Sequence, residues 1–241
     1  MTEPTEQEAV TRSPLALGAI AGPVLFTLAW LILGFVSTGY TLWDVHVARY
    51  SPIQAQISAL GVGNTAPYMN AAFIITGVLL ILGAIGIFRT IKSDLSPALC
   101  RWCLALWVLP GIGSITDGIF TFENFFPHFI GFGLSLISVF AFALTGIALR
   151  RTPRWKRIGT WLIVAAPLTI VLTVLFFTTF TPTAAGQLTG IAGATERLLI
   201  TEILFWYGVM GWIVLSGKTS TLPADPRSEP APSPAQRSLG K

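Results

Sequence analysis

Six long apolar blocks, separated by short polar segments, dominate the pattern of the chain. They predict spans at residues 15–38, 69–88, 99–120, 129–149, 158–180 and 198–216. Each block is close to the roughly 20 residues that cross about 30 Å of hydrocarbon at 1.5 Å per residue. Because backbone in lipid must satisfy its own hydrogen bonds, blocks of this length predict helices rather than barrel strands. The sequence therefore predicts an all-α integral membrane protein, a six-transmembrane-helix bundle.

Composition agrees with a membrane domain that fills most of the chain. Hydrophobic residues make up 53% of the 241 residues and charged residues only 11%, against roughly 25% charged in an ordinary soluble domain. The first block exceeds the apolar region of about 7 to 15 residues found in a cleavable signal peptide, so we expect a retained helix. The predicted parts are an N-terminal tail (1–14), the membrane domain (15–216) and a disordered C-terminal tail rich in Pro, Ser and Ala (217–241).

The distribution of Lys and Arg predicts the orientation of the bundle. On alternate sides of the six spans, thirteen basic residues lie on one side and only Arg49 and Arg197 on the other. Cytoplasmic loops carry the excess of basic residues, so we expect a multi-pass protein of the plasma membrane with both termini in the cytoplasm. Topology also explains the net charge of +4. The basic residues do not cluster on a folded polar face, which argues against nucleic acid as a partner.

The longest outer loop, residues 39–68, has the pattern of a short amphipathic helix. Helix-capping signals bracket residues 51–61, with Ser-Pro at the start and Gly at the end. The apolar face of this helix carries Ile53, Ile57 and Leu60. Gln54 and Ser58 lie on the polar face and are predicted to contact a ligand. We expect the helix to lie in the outer interface, either as a lid that plugs the bundle or in direct contact with a ligand.

The same loop carries a resemblance to a known family. The stretch Tyr50-Ser-Pro-Ile-Gln-Ala-Gln-Ile-Ser-Ala-Leu-Gly61, followed by Tyr68-Met-Asn70, resembles the signature of the prokaryotic membrane family catalogued as domain of unknown function 998 (DUF998). Later landmarks of that family resemble Gly118-Ile-Phe120, His128 with Gly131, and Gly193-Ala-Thr-Glu-Arg-Leu-Leu199. The resemblance covers about residues 15–216 and implies a six-helix membrane fold without an assigned activity. Where the family often has an acidic residue before the Ile-Ser pair, this chain has Gln54 and Gln56.

Most charged and imidazole side chains that are not in basic loops fall in the outer half of the predicted bundle. These residues are Asp44, His46, Arg49, Asp117, Glu123, His128, Glu196, Arg197 and Glu202. Burying a charged group at membrane depth costs free energy unless the group is paired or hydrated, so such groups indicate a functional pocket. The predicted pocket faces outward and holds a lipid or isoprenoid head group.

Roles in this pocket follow from side-chain chemistry. Asp117, His128 and Glu202 are the predicted catalytic residues, which would supply acid/base or hydrogen-bonding groups. Arg49 and Arg197 are the predicted ligand-binding residues for an anionic group. We expect His128 and Glu202 to line one pocket with Asp117, since a short segment joins the third and fourth spans. A structural ion pair or a hydrogen-bonded core group remains the alternative role of Asp117 and Glu202.

No metal site and no cofactor are predicted. His46, His128, Asp117 and Glu123 have donor atoms for a metal, but their spacing matches no metal-binding motif. Cys100 and Cys103 lie at the predicted cytoplasmic end of the third span, where thiols stay reduced, so no redox role is expected. The chain also lacks a phosphate-binding glycine loop, a GxSxG elbow and a dinucleotide fingerprint.

Two classes of function fit these patterns. In the first, the protein binds or modifies a lipid, and membrane lipids are its partners. In the second, the protein is a non-catalytic accessory or sensor, and the polar cluster only locks helices together. A transporter is disfavoured because the inner half of the bundle has few polar residues to continue a pathway. Whether the protein is an enzyme, its oligomeric state and any protein partner stay open.

The charge bias makes a direct prediction about topology. A reporter enzyme that is active only outside the cytoplasm, fused after Lys241, should stay silent. Replacing the five basic residues of segment 150–157 should disturb insertion more than replacing Arg49 and Arg197. Strong activity of the C-terminal reporter would contradict the predicted orientation.

Overall fold

The computed structural model describes residues 13–180 and 190–217 of the chain. Its helices are α1 (Gly18–Val36), α2 (Ala66–Ile91), α3 (Pro97–Ile119), α4 (Phe125–Leu136), α5 (Ser138–Arg150), α6 (Lys156–Thr179) and α7 (Ala192–Ser216). A small antiparallel hairpin, β1 (Tyr40–Leu42) with β2 (Val45–Val47), follows α1. The predicted tails lie outside the described residues, apart from 13–14 and 217.

Within residues 13–180 and 190–217, six helical segments are long and apolar enough to cross a membrane. They are Pro14–Val36, Gly63–Asp94, Pro97–Ile119, Phe125–Arg150, Pro153–Thr179 and Ala192–Ser216. The predicted all-α, six-helix membrane fold is therefore confirmed. The fourth segment consists of α4 and α5, which meet at Ile137, where the Ser138 hydroxyl donates to the Ser135 carbonyl at 2.6 Å. A hydroxyl that binds the preceding turn in this way competes with the regular helical ladder.

Local sequence explains several helix ends. The Ser96 hydroxyl accepts a hydrogen bond from the Leu99 amide at 3.4 Å, and Pro97 occupies the first turn of α3. Both residues are favoured there because the first amides of a helix have no partner within it. Gly217 ends α7 with φ +65°, a left-handed conformation that glycine adopts without steric cost.

Glycines let the first three helices approach closely. Substituting a side chain at Gly83 of α2 would bring its Cβ against the backbone of Ala19 in α1, and one at Gly77 would meet the Gly111 carbonyl of α3. Lipid supplies no hydrophobic drive for helix association, so close van der Waals packing of small residues has to supply it. The α1–α2 and α2–α3 interfaces are therefore tightly closed.

The loops 37–65, 120–124 and 190–191 lie on one side of the bundle, which we call the loop face. The hairpin turn at Trp43 and Asp44 has φ +47° and +66°, as a two-residue turn between antiparallel strands requires. The Trp43 indole donates to the Glu123 carbonyl at 3.2 Å and packs against Phe122 and Phe125. The hairpin is thereby docked on the connection between α3 and α4.

Segment 51–61 differs from the continuous amphipathic helix predicted by its sequence. A single turn, in which the Ala55 amide donates to the Ser51 carbonyl at 2.7 Å, is followed by extended backbone at Gln56 with ψ 159°. A short 3₁₀ helix then covers Ile57–Gly61. Ile57 and Leu60 are buried, as expected, but Ile53 is 57% exposed. The break at Gln56 resets the helical period, so residues before and after it no longer share a face.

The close packing of α1 and α2 makes a prediction about stability. Gly83→Ala should lower the free energy of unfolding by about 1–3 kcal/mol, because the new methyl group meets backbone that cannot move aside. Gly133→Ala is the matched control, since a Cβ at Gly133 meets nothing within 4 Å. Thermal unfolding in detergent should show a lower melting temperature for the first variant only. Equal melting temperatures would contradict the close approach.

Candidate functional site

Two cavities meet at a shared polar end below the loop face. The first, the inner cavity, comprises about 580 Å³ of space, part of it open to solvent, between α1, α2, α3, α4, α7 and the 3₁₀ helix. Its polar lining consists of Ser58, Thr76, Ser114, Asp117, His128, Ser135 and Glu196. The second, the aromatic cleft, comprises about 470 Å³, also partly open to solvent, and is lined by seven phenylalanines together with Gln56, Ser58, His128 and Glu196. Four residues line both cavities, namely Ser58, His128, Phe132 and Glu196.

Asp117 and His128 form the centre of the polar end. The Nδ1 atom of His128 lies 3.5 Å from Oδ1 of Asp117 and 2.9 Å from the Phe120 carbonyl oxygen. Because a carbonyl only accepts, Nδ1 carries the proton, and Nε2 of a neutral imidazole is left as an acceptor. Gly131 allows this arrangement, since a side chain there would collide with Oδ1 of Asp117. The short connection between α3 and α4 thus brings Asp117 and His128 together, as the sequence predicts.

Arg197 is buried and binds the loop rather than the cavity. Its Nη1 group donates to three backbone carbonyls, those of Pro52 (2.8 Å), Ala55 (2.9 Å) and Gly193 (2.7 Å). Its Nη2 group donates to the Tyr50 hydroxyl, and its guanidinium lies over the Trp30 ring at 5.2 Å. Burial raises the pKa of Tyr50 to about 12, so this hydroxyl stays protonated and donates to the Gln56 carbonyl at 3.3 Å.

Glu196 completes the attachment of the loop to α7. Its Oε2 atom accepts a hydrogen bond from the Ile57 amide at 2.6 Å, and the Ala194 amide donates to the Ile53 carbonyl at 2.9 Å. The start of α7 therefore supplies the partners that a regular helix would have supplied within the segment itself. We call Tyr50, Glu196 and Arg197 the loop anchor.

Glu202 does not join Asp117 and His128. Its carboxylate accepts hydrogen bonds from the Thr169 hydroxyl at 2.9 Å and the Trp206 indole at 2.8 Å, and it lines neither cavity. Glu196 occupies the expected position instead. The reason is helical geometry: six residues at about 100° each turn Glu202 about 120° away from Glu196 around α7.

Two further predicted residues lie away from the cavities. Arg49 is exposed on the loop, and Gln54 lines neither cavity. Gln56 lines the aromatic cleft in place of Gln54, because the backbone break at Gln56 changes the direction of the preceding turn. Ser58 is the member of the predicted polar face that does line both cavities.

Glu196 is the residue that sequence reasoning undervalued. A helical signal for it exists, because the apolar residues Ile200, Ile203 and Leu204 follow it at intervals that keep one face of α7. All four residues line the inner cavity. Glu196, which begins this apolar face of α7, was thus a better candidate for the site than Glu202, which lies on another face of the helix.

The charge balance of the site is acidic. Two carboxyl groups and one imidazole line the cavities, and no Lys or Arg lines either of them. Among residues 13–180 and 190–217, no group of three or more His, Cys, Asp or Glu is arranged to hold a metal ion. The arrangement can bind donors of hydrogen bonds through Oδ1 of Asp117 and Nε2 of His128.

Comparisons with known proteins give one match. A family model described as "Protein of unknown function (DUF998)" matches residues 20–213, which include every residue that lines the two cavities. No curated protein and no solved structure matches the chain.

The loop anchor predicts a specific effect of Arg197→Lys. A lysine retains the charge but cannot reach all four acceptors, so buried carbonyls lose donors and the free energy of unfolding should fall by about 2–4 kcal/mol. In a background without Cys100 and Cys103, a cysteine at the buried position Ala59 should react faster with a thiol reagent in this variant.

Arg49→Lys is the matched control, because Arg49 is exposed on the same loop. This control should leave both the labelling rate and the melting temperature unchanged. If Arg197→Lys labels no faster than Arg49→Lys, Arg197 does not hold the loop.

Proposed function

Because the chain belongs to the DUF998 family, whose members are described as proteins of unknown function, we propose a function from the site itself. We propose that the protein binds an amphipathic membrane lipid or isoprenoid. Its polar head lies among Ser58, His128 and Glu196, and its apolar chain lies in the aromatic cleft. The observation that carries this proposal is that one polar end opens into two apolar lobes.

The position of the aromatic cleft supports entry from the lipid. Phe129 of α4 and Phe177 of α6 are 47% and 43% exposed, so both reach the outer surface of the bundle. The two helices are bridged by rings, such as Phe132 and Phe176 with centroids 5.4 Å apart. A chain that enters between α4 and α6 would stay in an apolar environment along its whole path.

Acid/base chemistry on a bound head group is compatible with the same site. The Nε2 atom of His128 would be the group that exchanges a proton with a ligand, and the Asp117 carboxyl, 3.5 Å from Nδ1, lies beside the charged imidazolium that would form. Binding is the function that the geometry supports directly. Catalysis would require a ligand atom within hydrogen-bond distance of Nε2.

We propose that this site lies near the outer leaflet. We propose that the loop face is outward in the plasma membrane, because thirteen of fifteen Lys and Arg residues belong to the opposite side of the six spans. The lipid would then be taken from, or returned to, the outer leaflet.

A second candidate function is a non-catalytic accessory or sensor protein. It is favoured by polar side chains that join neighbouring helices: the Ser114 hydroxyl of α3 donates to the Phe73 carbonyl of α2 at 2.7 Å, and the Trp107 indole donates to Thr145 at 2.9 Å. In this case the polar residues would stabilise helix packing and the cavities would have no specific ligand.

Filling the junction of the cavities separates the two functions. Ser58→Phe should remove a defined lipid that co-purifies with the protein, because the new ring occupies the space shared by both lobes. Thr160→Phe is the control, since Thr160 is exposed on α6 and bonds only its own helix. Mass spectrometry of lipids retained after gentle purification is the measurement.

The two functions give opposite results in this experiment. A lipid species present in the unaltered protein and in Thr160→Phe, and lost from a Ser58→Phe variant that is still monodisperse, supports lipid binding. The same unselective lipids in all three proteins would contradict lipid binding and favour the accessory function.

A further inference from the structure

The polar end of the site has more free acceptors than donors. Oδ1 of Asp117 is buried and receives no hydrogen bond from the described residues, and Asp117 is only 6% exposed. Nε2 of His128 is a second acceptor, because Nδ1 is bound to the Phe120 carbonyl. Buried polar atoms normally have a hydrogen-bond partner, so an orphaned carboxylate oxygen that lines a cavity points to a ligand that donates.

The donors of the inner cavity are largely committed to the protein. Three of its four lining hydroxyls donate to backbone carbonyls: Thr76 to Gly22 (3.5 Å), Ser114 to Phe73 (2.7 Å) and Ser135 to Gly131 (3.5 Å). Ser58 is the fourth hydroxyl, and it lines both cavities. A ligand that only accepts hydrogen bonds would therefore find few partners.

The two arginines of the loop face line neither the inner cavity nor the aromatic cleft. The Nη groups of Arg197 bind three carbonyls and the Tyr50 hydroxyl, and Arg49 is exposed outside the cavities. Phosphate recognition relies on arginine, lysine or several free amides. Glu196 and Asp117 add acceptors and no positive charge to the lining of the inner cavity.

We propose that the head group recognised at this site is a non-anionic hydrogen-bond donor, a hydroxyl or a primary amine, and not a phosphate. This inference rests on the proposed function, since it names the chemical class of the lipid bound there. The donor binds Oδ1 of Asp117, with Nε2 of His128 as the adjacent acceptor. The apolar chain follows the phenylalanines of the aromatic cleft.

Three probes that share one chain and differ in the head group test this proposal. Farnesol, farnesylamine and farnesyl monophosphate are compared as competitors for labelled farnesol on the full-length protein in lipid nanodiscs. The alcohol and the amine should bind about tenfold or more tightly than the phosphate. Phosphate binding that equals or exceeds alcohol binding would overturn the head-group assignment and leave lipid binding intact. Failure of all three to bind would overturn lipid binding itself.

Substitutions of Asp117 assign the contact to one atom. Asp117→Asn keeps an acceptor but removes the negative charge, so the amine should weaken about tenfold and the alcohol by less than about threefold. Asp117→Leu removes the acceptor, so both should weaken about tenfold. Asp44→Asn is the control, because Asp44 is an exposed turn residue whose left-handed backbone asparagine tolerates.

The affinities of the Asp117 variants are compared with those of Asp44→Asn and of the unaltered protein. Equal affinities of all three ligands for Asp117→Leu and the unaltered protein would show that Asp117 does not bind the head group. If a variant at position 117 fails to fold, the order of affinities in the unaltered protein still decides whether the site selects donors over phosphate.

Discussion

The guanidinium of Arg197 holds the first loop against the seventh helix, and both cavities depend on that attachment. Taking an arginine out of water costs several kcal/mol unless its donors are satisfied. Here the Nη1 donor meets carbonyls of Pro52 and Ala55 that the irregular loop leaves without helical partners, while Nε has no partner among the described residues. Each group thus removes the cost of burying the other. Ser58 belongs to this loop and Glu196 to its anchor, so the polar end forms only when the loop is docked.

The loop docks on helices that pack in two different ways. Glycines at positions such as Gly77 and Gly83 bring α1, α2 and α3 into backbone contact. On the other side, α4 and α6 are separated by phenylalanine rings. The polar residues line the space between these two regions. The aromatic cleft shares Ser58, His128 and Glu196 with the inner cavity, so its phenylalanines adjoin the polar end directly.

The membrane fold could be predicted from the sequence because the requirement that determines it is local. Every span must satisfy its own backbone and present an apolar surface, so a block of about 20 residues carries the signal alone. The proximity of Asp117 and His128 was predictable for a similar reason, since few residues separate α3 from α4.

The remaining site residues depend on contacts between segments that are distant in the chain. Gln56 replaces Gln54 because Glu196, about 140 residues later, binds the Ile57 amide and ends the preceding turn. Glu196 replaces Glu202 because the rotation of α7 is set by Arg197 and by packing against α1 and α6, which no local pattern encodes. Helical periodicity gave the relative angle between the two acids, but not which of them faces inward.

The glycine-packed interfaces of α1, α2 and α3 resist widening more than the interface between α4 and α6, which is filled by phenylalanine rings. Backbone in contact with backbone cannot yield without losing many contacts at once, whereas a phenylalanine ring can turn about two side-chain torsions. Any increase in internal volume would therefore be taken up almost entirely between α4 and α6, while α1, α2 and α3 move as one unit. Because Gly113 and Gly131 bring α4 into close backbone contact with α3, α4 would move with that unit, and the break at Ile137 separates it from α5.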